Sequence, residues 1–349
     1  MKRLILLVLL ISLTIFYGCE DTTVYDNNGK VDDSESNEVV VYTAVDQNYA
    51  EMVLEKFTED TGIEVLPVYD VEASKTTGLI NRLIAEKDNA TADVFWNNEI
   101  SQTLSLKEQG VLQSYSSPSA NDIPDNYKDL EGYWAAFGGR ARCIIVNTDL
   151  VAEEDYPSSI LDLFSDKYPA EMVAIARPLF GTTLTQASAL FAYWGEEQAT
   201  EFYQRIVDQG VTVVEGNSVV KDQVAQGNLM WGLTDTDDAI VAIKEGYPVE
   251  VLIPDQEEGG LGTLVIPNSV SLIKGAPNKE SGQAFIDWLL LPKQEKYLIE
   301  ISWTQVAIRN VDAESLIPID NLVTMPVTFV EIFEGLQKAE ETLRELFLN

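Results

Sequence analysis

Three observations predict an α/β protein of two lobes with a cleft between them. Apolar strands alternate with helical stretches from residue 39 to 96, and the same alternation resumes near residue 142. With an N-terminal leader and tether set aside, roughly 310 residues remain, more than the ~250–300 that one core usually organises.

The elements follow in order. Val39, Val40, Val41, Tyr42 and Thr43 form a continuous run that suits a strand buried on both faces. Tyr49, Met52, Val53 and Phe57 recur at helical spacing, which predicts a helix over 47–61, ended by Gly62. A strand over 64–69, a helix over 75–86 and a short strand over 92–96 complete the first set. A strand over 142–146 opens the second, with further strands over 172–176, 211–214 and 229–233. Helices over 183–194, 196–209 and 219–226 lie between them. The helix over 239–245, the strand over 249–253, a late strand pair over 263–266 and 269–273, and the helix over 279–291 follow. Lobe 1 is expected over 38–138 plus 262–308, and lobe 2 over 139–261 plus 309–349. In open α/β sheets solutes sit at the carboxyl ends of the strands, so the loops after the strands are where function belongs.

The first eighteen residues read as an export signal. Lys2 and Arg3 precede an apolar run over 4–16, and Gly18 stands directly before Cys19. Spanning a bilayer as a helix takes about 20 apolar residues, and this run stops short. The expectation is cleavage before Cys19, lipid attachment to that cysteine, and a disordered acidic tether over 19–37. Phe16 and Tyr17 are bulkier than the usual residues of such a cleavage motif, and an uncleaved anchor is the alternative. Either way the rest of the chain lies outside the cytoplasm.

Composition narrows the function further. There are 57 acidic and 23 basic residues, a net charge of −34, which repels nucleic acid and anionic lipid. The chain has no histidine, which removes Ser-His-Asp and Cys-His catalysis and every histidine metal site. No phosphate-binding GxxxxGK[ST] loop and no GxGxxG after a strand occur. Cys143, within an apolar run, reads as a buried inert thiol.

The segments VVVYTAVDQNYAEMVLEKFTEDTGIEVLPVYD, ADVFWNNEIS, GGRARCIIVNTDL and NKESGQAFIDWLLLPKQEKYL occur in that order from Val39 onward. Together they resemble the iron(III)-binding family of bacterial ABC-importer solute-binding proteins. The resemblance implies a type II periplasmic-binding fold, a monomer that closes two lobes on one solute and hands it to an ABC permease with its ATPase subunits. Ferric-binding members hold the metal with a histidine after the first strand, a glutamate after the third and two adjacent tyrosines in the second lobe. The matching positions here are Asp46, Asn98 (with Glu99 beside it) and the pair Asp237 and Asp238. None of those ligands is kept, so any Fe3+ would be held by carboxylate oxygens instead. No resident cofactor is expected; a cation would be cargo.

Four loops are expected to converge on the cleft. Residues 231–239 place Asp235, Asp237 and Asp238 at a strand end, where they could bind a cation or hydroxyls, or cap the next helix. Arg177, Gly181, Thr182 and Thr183 open a helix and could meet an anion, with Asn217 and Ser218 at the next helix start; capping by Thr182 or Ser218 is the alternative. In lobe 1, Asp46, Trp96, Asn98 and Glu99 follow strands, with Trp96 either facing a solute or plugging the core. Ser74 is expected to cap its helix, and Gly138, Gly139 and Arg140 to form hinge backbone at the first crossover. As metal ligands the candidates are Asp46, Asp237 and Asp238. The solute is then a cation with its anion, or a hydroxylated or phosphorylated organic such as a sugar phosphate or phosphonate. An exported sensor module, or a hydrolase using paired carboxylates, is the competing class.

Overall fold

The computed structural model describes residues 37–45, 47–70, 77–301, 304–311 and 322–348. The expected signal, Cys19, the tether but for its last residue, Asp46 and Ser74 lie outside them. No helix among the described residues is long and apolar enough to cross a membrane.

Among the described residues the first set is β1 (Glu38–Thr43), α1 (Gln47–Thr61), β2 (Glu64–Tyr69), α2 (Thr77–Glu86), β3 (Val94–Asn97), α3 (Ile100–Glu108) and the short β4 (Leu112–Gln113). Gly62, at φ +76°, ends α1 in a conformation that costs a residue without Cβ little. The second set is β5 (Ala135–Asn147), β6 (Val173–Ala176), α4 (Gly181–Trp194), α5 (Glu196–Gln209), β7 (Thr212–Val214), α6 (Asn217–Ala225), β8 (Trp231–Asp235), α7 (Thr236–Lys244) and β9 (Val249–Leu252). The chain continues through β10 (Val265–Ile273), α8 (Lys279–Leu289), α9 (Pro292–Glu300) and α10 (Phe329–Leu348).

The strands join in the order β2-β1-β3-β10-β5-β8-β6-β7, with β4 on β10 and β9 on β5. β1 is parallel to β2 and β3, and β6 is parallel to β7 and β8, as the apolar runs implied. β5 ties the two sets together. Its first half, residues 135–141, runs antiparallel to β10, and its second half pairs with β8 and β9.

Three expectations are corrected. The strand expected over 142–146 starts at Ala135, so Gly138 and Gly139 lie within β5. A Cβ on Gly139 would meet the Ile266 carbonyl at 3.0 Å, so that close strand approach needs glycine. The late strand pair is the single strand β10; its register shifts between Pro267, opposite Gly139, and Asn268, opposite Phe137, so the extra residue of the bulge is Gly138 of β5, at φ +49°. The helix expected over 279–291 is α8 followed by α9, broken where Pro292 takes the first position of the second helix.

The central apolar cluster joins both sets. Trp96 is fully buried, with its ring 6.0 Å from Phe137 and 6.4 Å from Phe285. α10, for which the strand-helix alternation gave no place, packs on α4 and α5. Cys143 is buried, and burial first, then the nearby Asp235 carboxylate, pushes its thiol up, which fits an inert thiol.

Candidate functional site

A cleft of about 210 Å³ opens between the loop after β3, the middle of β5 and β10, and the start of α7. Arg140, Asp237, Asp238 and Asn98 line it, with Tyr49, Lys244 and Asn268 at its margins. The period of β5 explains Arg140: on a strand, side chains alternate, so Arg140 and Arg142 share a face while Ala141 takes the other.

Arg140 bridges the cleft. One guanidinium nitrogen donates to Asp237 Oδ2 at 2.8 Å, and another to the Asn98 backbone carbonyl at 2.8 Å. Burial acts against its charge, yet the Asp237 and Asp235 carboxylates more than offset that, and its pKa is raised. Asp237 keeps a second oxygen, Oδ1, that is shielded from solvent and accepts no hydrogen bond among the described residues. Asp238 is half-buried. Desolvation, then the charges of Asp237 and Asp235, push its carboxyl up to about 7, against the opposing pull of Arg140 and Lys221.

Asp235, Asp237 and Asp238 each place an oxygen within 4.8 Å of the others. They are not equivalent. Asp235 is sealed, and its carboxylate accepts from Arg142 at 2.6 Å, from Thr182 Oγ1 and from Asn217 Nδ2 at 2.9 Å. Arg142 also donates to Gln186 at 2.9 Å and to Asn217 Oδ1 at 3.1 Å. An aspartate so fully engaged ties the end of β8 to β5, α4 and α6 and has no oxygen to spare for a solute.

The other sequence candidates divide accordingly. Asn98 reaches the cleft, while Trp96 is spent in the core, the second of its two foreseen roles. Glu99 is buried and caps α3, accepting from the Ser101 and Gln102 amides at 2.9 and 3.2 Å, and it ties that helix to α4 through Thr185 Oγ1 at 2.9 Å. Thr182 and Asn217 point their polar groups at Asp235. Thr183 turns back to the Phe180 carbonyl at 2.9 Å, and Arg177 pairs with Glu215 at 2.8 Å. Gly181 and Ser218 are exposed, and Gly181 holds φ +57°. The anion-facing loops foreseen at 177–183 and 217–218 therefore spend most of their side-chain donors internally.

A family profile described as bacterial extracellular solute-binding protein matches residues 52–319. The chain belongs to that family.

Among relatives of this solute-binding protein is "Iron uptake protein A1" of Synechocystis sp., 27% identical over 278 residues, covering 76% of this chain and 74% of the relative. The solved structure "Ferric binding protein from Campylobacter jejuni" superposes with a TM-score of 0.77 at 22% identity, covering 88% of this chain and 99% of that one. The periplasmic binding protein AfuA from Actinobacillus pleuropneumoniae, with exogenous fructose-6-phosphate bound, superposes with a TM-score of 0.74 at 20% identity over 89% and 98%. At such identities the structural likenesses speak for the fold, which is the type II periplasmic-binding fold.

Sequence reasoning missed Arg140 and Arg142 as site-forming residues of this solute-binding protein. Their one signal was the alternation Arg140-Ala141-Arg142 next to an apolar run, which puts two charges on one face of a buried strand. A buried arginine requires an anionic partner, and acids clustered at a strand end, as at 235–238, are where to seek it.

Proposed function

We propose that this solute-binding protein captures a hard cation, Fe3+ first among them, between lobes spanning 38–138 plus 262–308 and 139–261 plus 309–349. It delivers the ion to an ABC permease and its ATPase as an exported monomer, lipid-anchored through Cys19. No bond is made or broken; the solute stabilises the closed state by bridging both lobes. The observation that carries this reading is the acid pair on the cleft wall: Asp237 has a shielded oxygen without a donor, and burial, then the charges of Asp237 and Asp235, push the Asp238 carboxyl up to about 7. A cation would give the Asp237 Oδ1 oxygen a partner and offset the negative charge around Asp238. Iron enters the reading through the names of the relatives, and carboxylates take the place of the tyrosines that ferric-binding members use. Hard cations accept such oxygen donors, with Asn98, Asn268, water or an accompanying anion available for the remaining positions.

A second reading is favoured by Arg140 itself and by the fructose-6-phosphate in AfuA. In a hydroxylated, phosphorylated solute, Arg140 would take the anionic group and the two aspartates would accept from hydroxyls.

A thermal-shift panel separates the two. The purified chain is heated with Fe3+ plus carbonate or phosphate, divalent cations, hexose phosphates, phosphonates and polyamines. A ligand at 100 times its dissociation constant adds about 2.7 kcal/mol of stability. We expect Fe3+ to raise the melting temperature, and Asp237→Asn with Asp238→Asn to abolish the rise. A response confined to hexose phosphates, or an iron response that survives the double substitution, overturns the cation reading.

A further inference from the structure

We propose that Arg140 is a tethered counter-ion with which a cationic solute must compete for Asp237, and that it thereby selects cations by charge; this rests on the cation reading above. The guanidinium reaches from β5 to Asp237 Oδ2 at 2.8 Å and is steadied from the other side by the Asn98 carbonyl at 2.8 Å. Its side chain is 20% exposed and that of Asp237 35%, so the pair sits in the cleft wall where an entering solute meets it. The Asp237 oxygen that Arg140 leaves unpaired, Oδ1, is the one shielded from solvent. A cation bound by both Asp237 and Asp238 would lie within a few ångströms of the guanidinium, where like charges repel. Either the cation shares Asp237 with Arg140 under that repulsion, or Arg140 swings away and gives up a charge-assisted pair. Both routes weaken every cation. A singly charged ion offers the two carboxylates no more charge than the guanidinium already does, whereas a multiply charged ion does. Arg140 thus keeps the cleft closed to abundant monovalent cations.

The test is titration of the full chain, wild type, Arg140→Gln and Arg140→Lys, with Fe3+ supplied as its nitrilotriacetate chelate, and with Ca2+ and Na+. We expect Arg140→Gln to bind Fe3+ and Ca2+ at least about tenfold more tightly and to gain a response to Na+ that the wild type lacks, since a like charge has been removed beside the site, while Arg140→Lys follows the wild type. In the wild type, Ga3+ should shift the side-chain ¹⁵N signals of Arg140, a readout that needs no variant to fold. Equal or weaker Fe3+ binding by Arg140→Gln, or Arg140 signals unmoved by bound Ga3+, overturns the inference alone. A wild type that responds to no multivalent cation overturns the cation reading and this inference with it. A hexose-phosphate response lost in Arg140→Gln makes Arg140 a direct solute ligand, which also overturns it.

Discussion

The Asp235 carboxylate and the Arg142 guanidinium meet at 2.6 Å with both side chains shut off from water, 3% and 2% exposed. Breaking a buried pair by removing one partner leaves an uncompensated charge, at a cost of about 3–5 kcal/mol. Asp235→Ala should therefore destabilise the chain by about that amount, measured by urea unfolding. Thr182 and Asn217 lose their acceptor at the same time. A loss below about 1 kcal/mol would show that the pair is not a brace between β8, β5, α4 and α6.

Asp238 predicts a pH dependence of opposite sign to that of a salt-bridged aspartate. Its folded pKa, about 7, lies above the ordinary 3.8, so between those values the folded state holds more proton than the unfolded one. Stability then falls as pH rises from about 4 to about 7, with a slope of at most about 1.4 kcal/mol per pH unit, the contribution of one proton. Above pH 7 that contribution is gone. Asp238→Asn should flatten this window and be the more stable protein at pH 7.5 in the absence of cation. Because a cation needs the deprotonated form, wild-type affinity should drop up to about tenfold per pH unit below 7. Unfolding curves and Fe3+ titrations at pH 5.5, 6.5 and 7.5 check both statements, and a profile rising with pH contradicts the first.

Trp96→Ala should cost about 3–5 kcal/mol, because the indole fills the core beside Phe137 and Phe285. Solute affinity, measured below the lowered melting temperature, should stay within about twofold of wild type if the side chain only packs. A large loss of affinity with little loss of stability would return Trp96 to the solute.

Why Trp96 and Arg140 were harder to place than α1 or α5 is a matter of range. Gly62 and Gly210 both adopt positive φ directly after a helix, a local signal, so the limits 47–61 and 196–209 were legible in the sequence. The parallel pairing of β1, β2 and β3 followed from apolar runs alone. β5 was read too short because Gly138 and Gly139 look like hinge loop, while it is the approach of β10 that keeps Gly139 in a strand. The acids at 235–238 were legible as a cluster, but their division of labour depends on Arg142, ninety-three residues away, and on Arg140, ninety-seven away. No local pattern reports which aspartate a distant arginine chooses.

The lipid anchor is tested by Cys19→Ser. If the cysteine carries lipid, wild-type protein should partition with membranes and the variant should be released to the soluble fraction after signal removal. Membrane retention of the variant would favour the uncleaved anchor.

Glu295 offers the last test, because its fully buried carboxylate fastens β5 at Gly138. It accepts from the Gly138 amide at 3.0 Å, from the Ile308 amide, and from Arg309 Nε at 2.9 Å. Arg309 in turn donates to Asp122 at 2.6 Å and to the Leu290 carbonyl at 2.8 Å. Glu295→Ala strands two backbone amides and part of a buried guanidinium, so it should cost about 3–5 kcal/mol, whereas Glu334→Ala on the exposed side of α10 should stay within about 0.5 kcal/mol. Gly138 lies two residues from Arg140 on the same strand, at the irregular point where β5 holds φ +49°. Loosening the strand there should also blur the Arg140 position and weaken solute capture in Glu295→Ala even under conditions where it is fully folded. Unchanged Fe3+ affinity in that variant would show that the Glu295 anchor serves the fold and not the cleft.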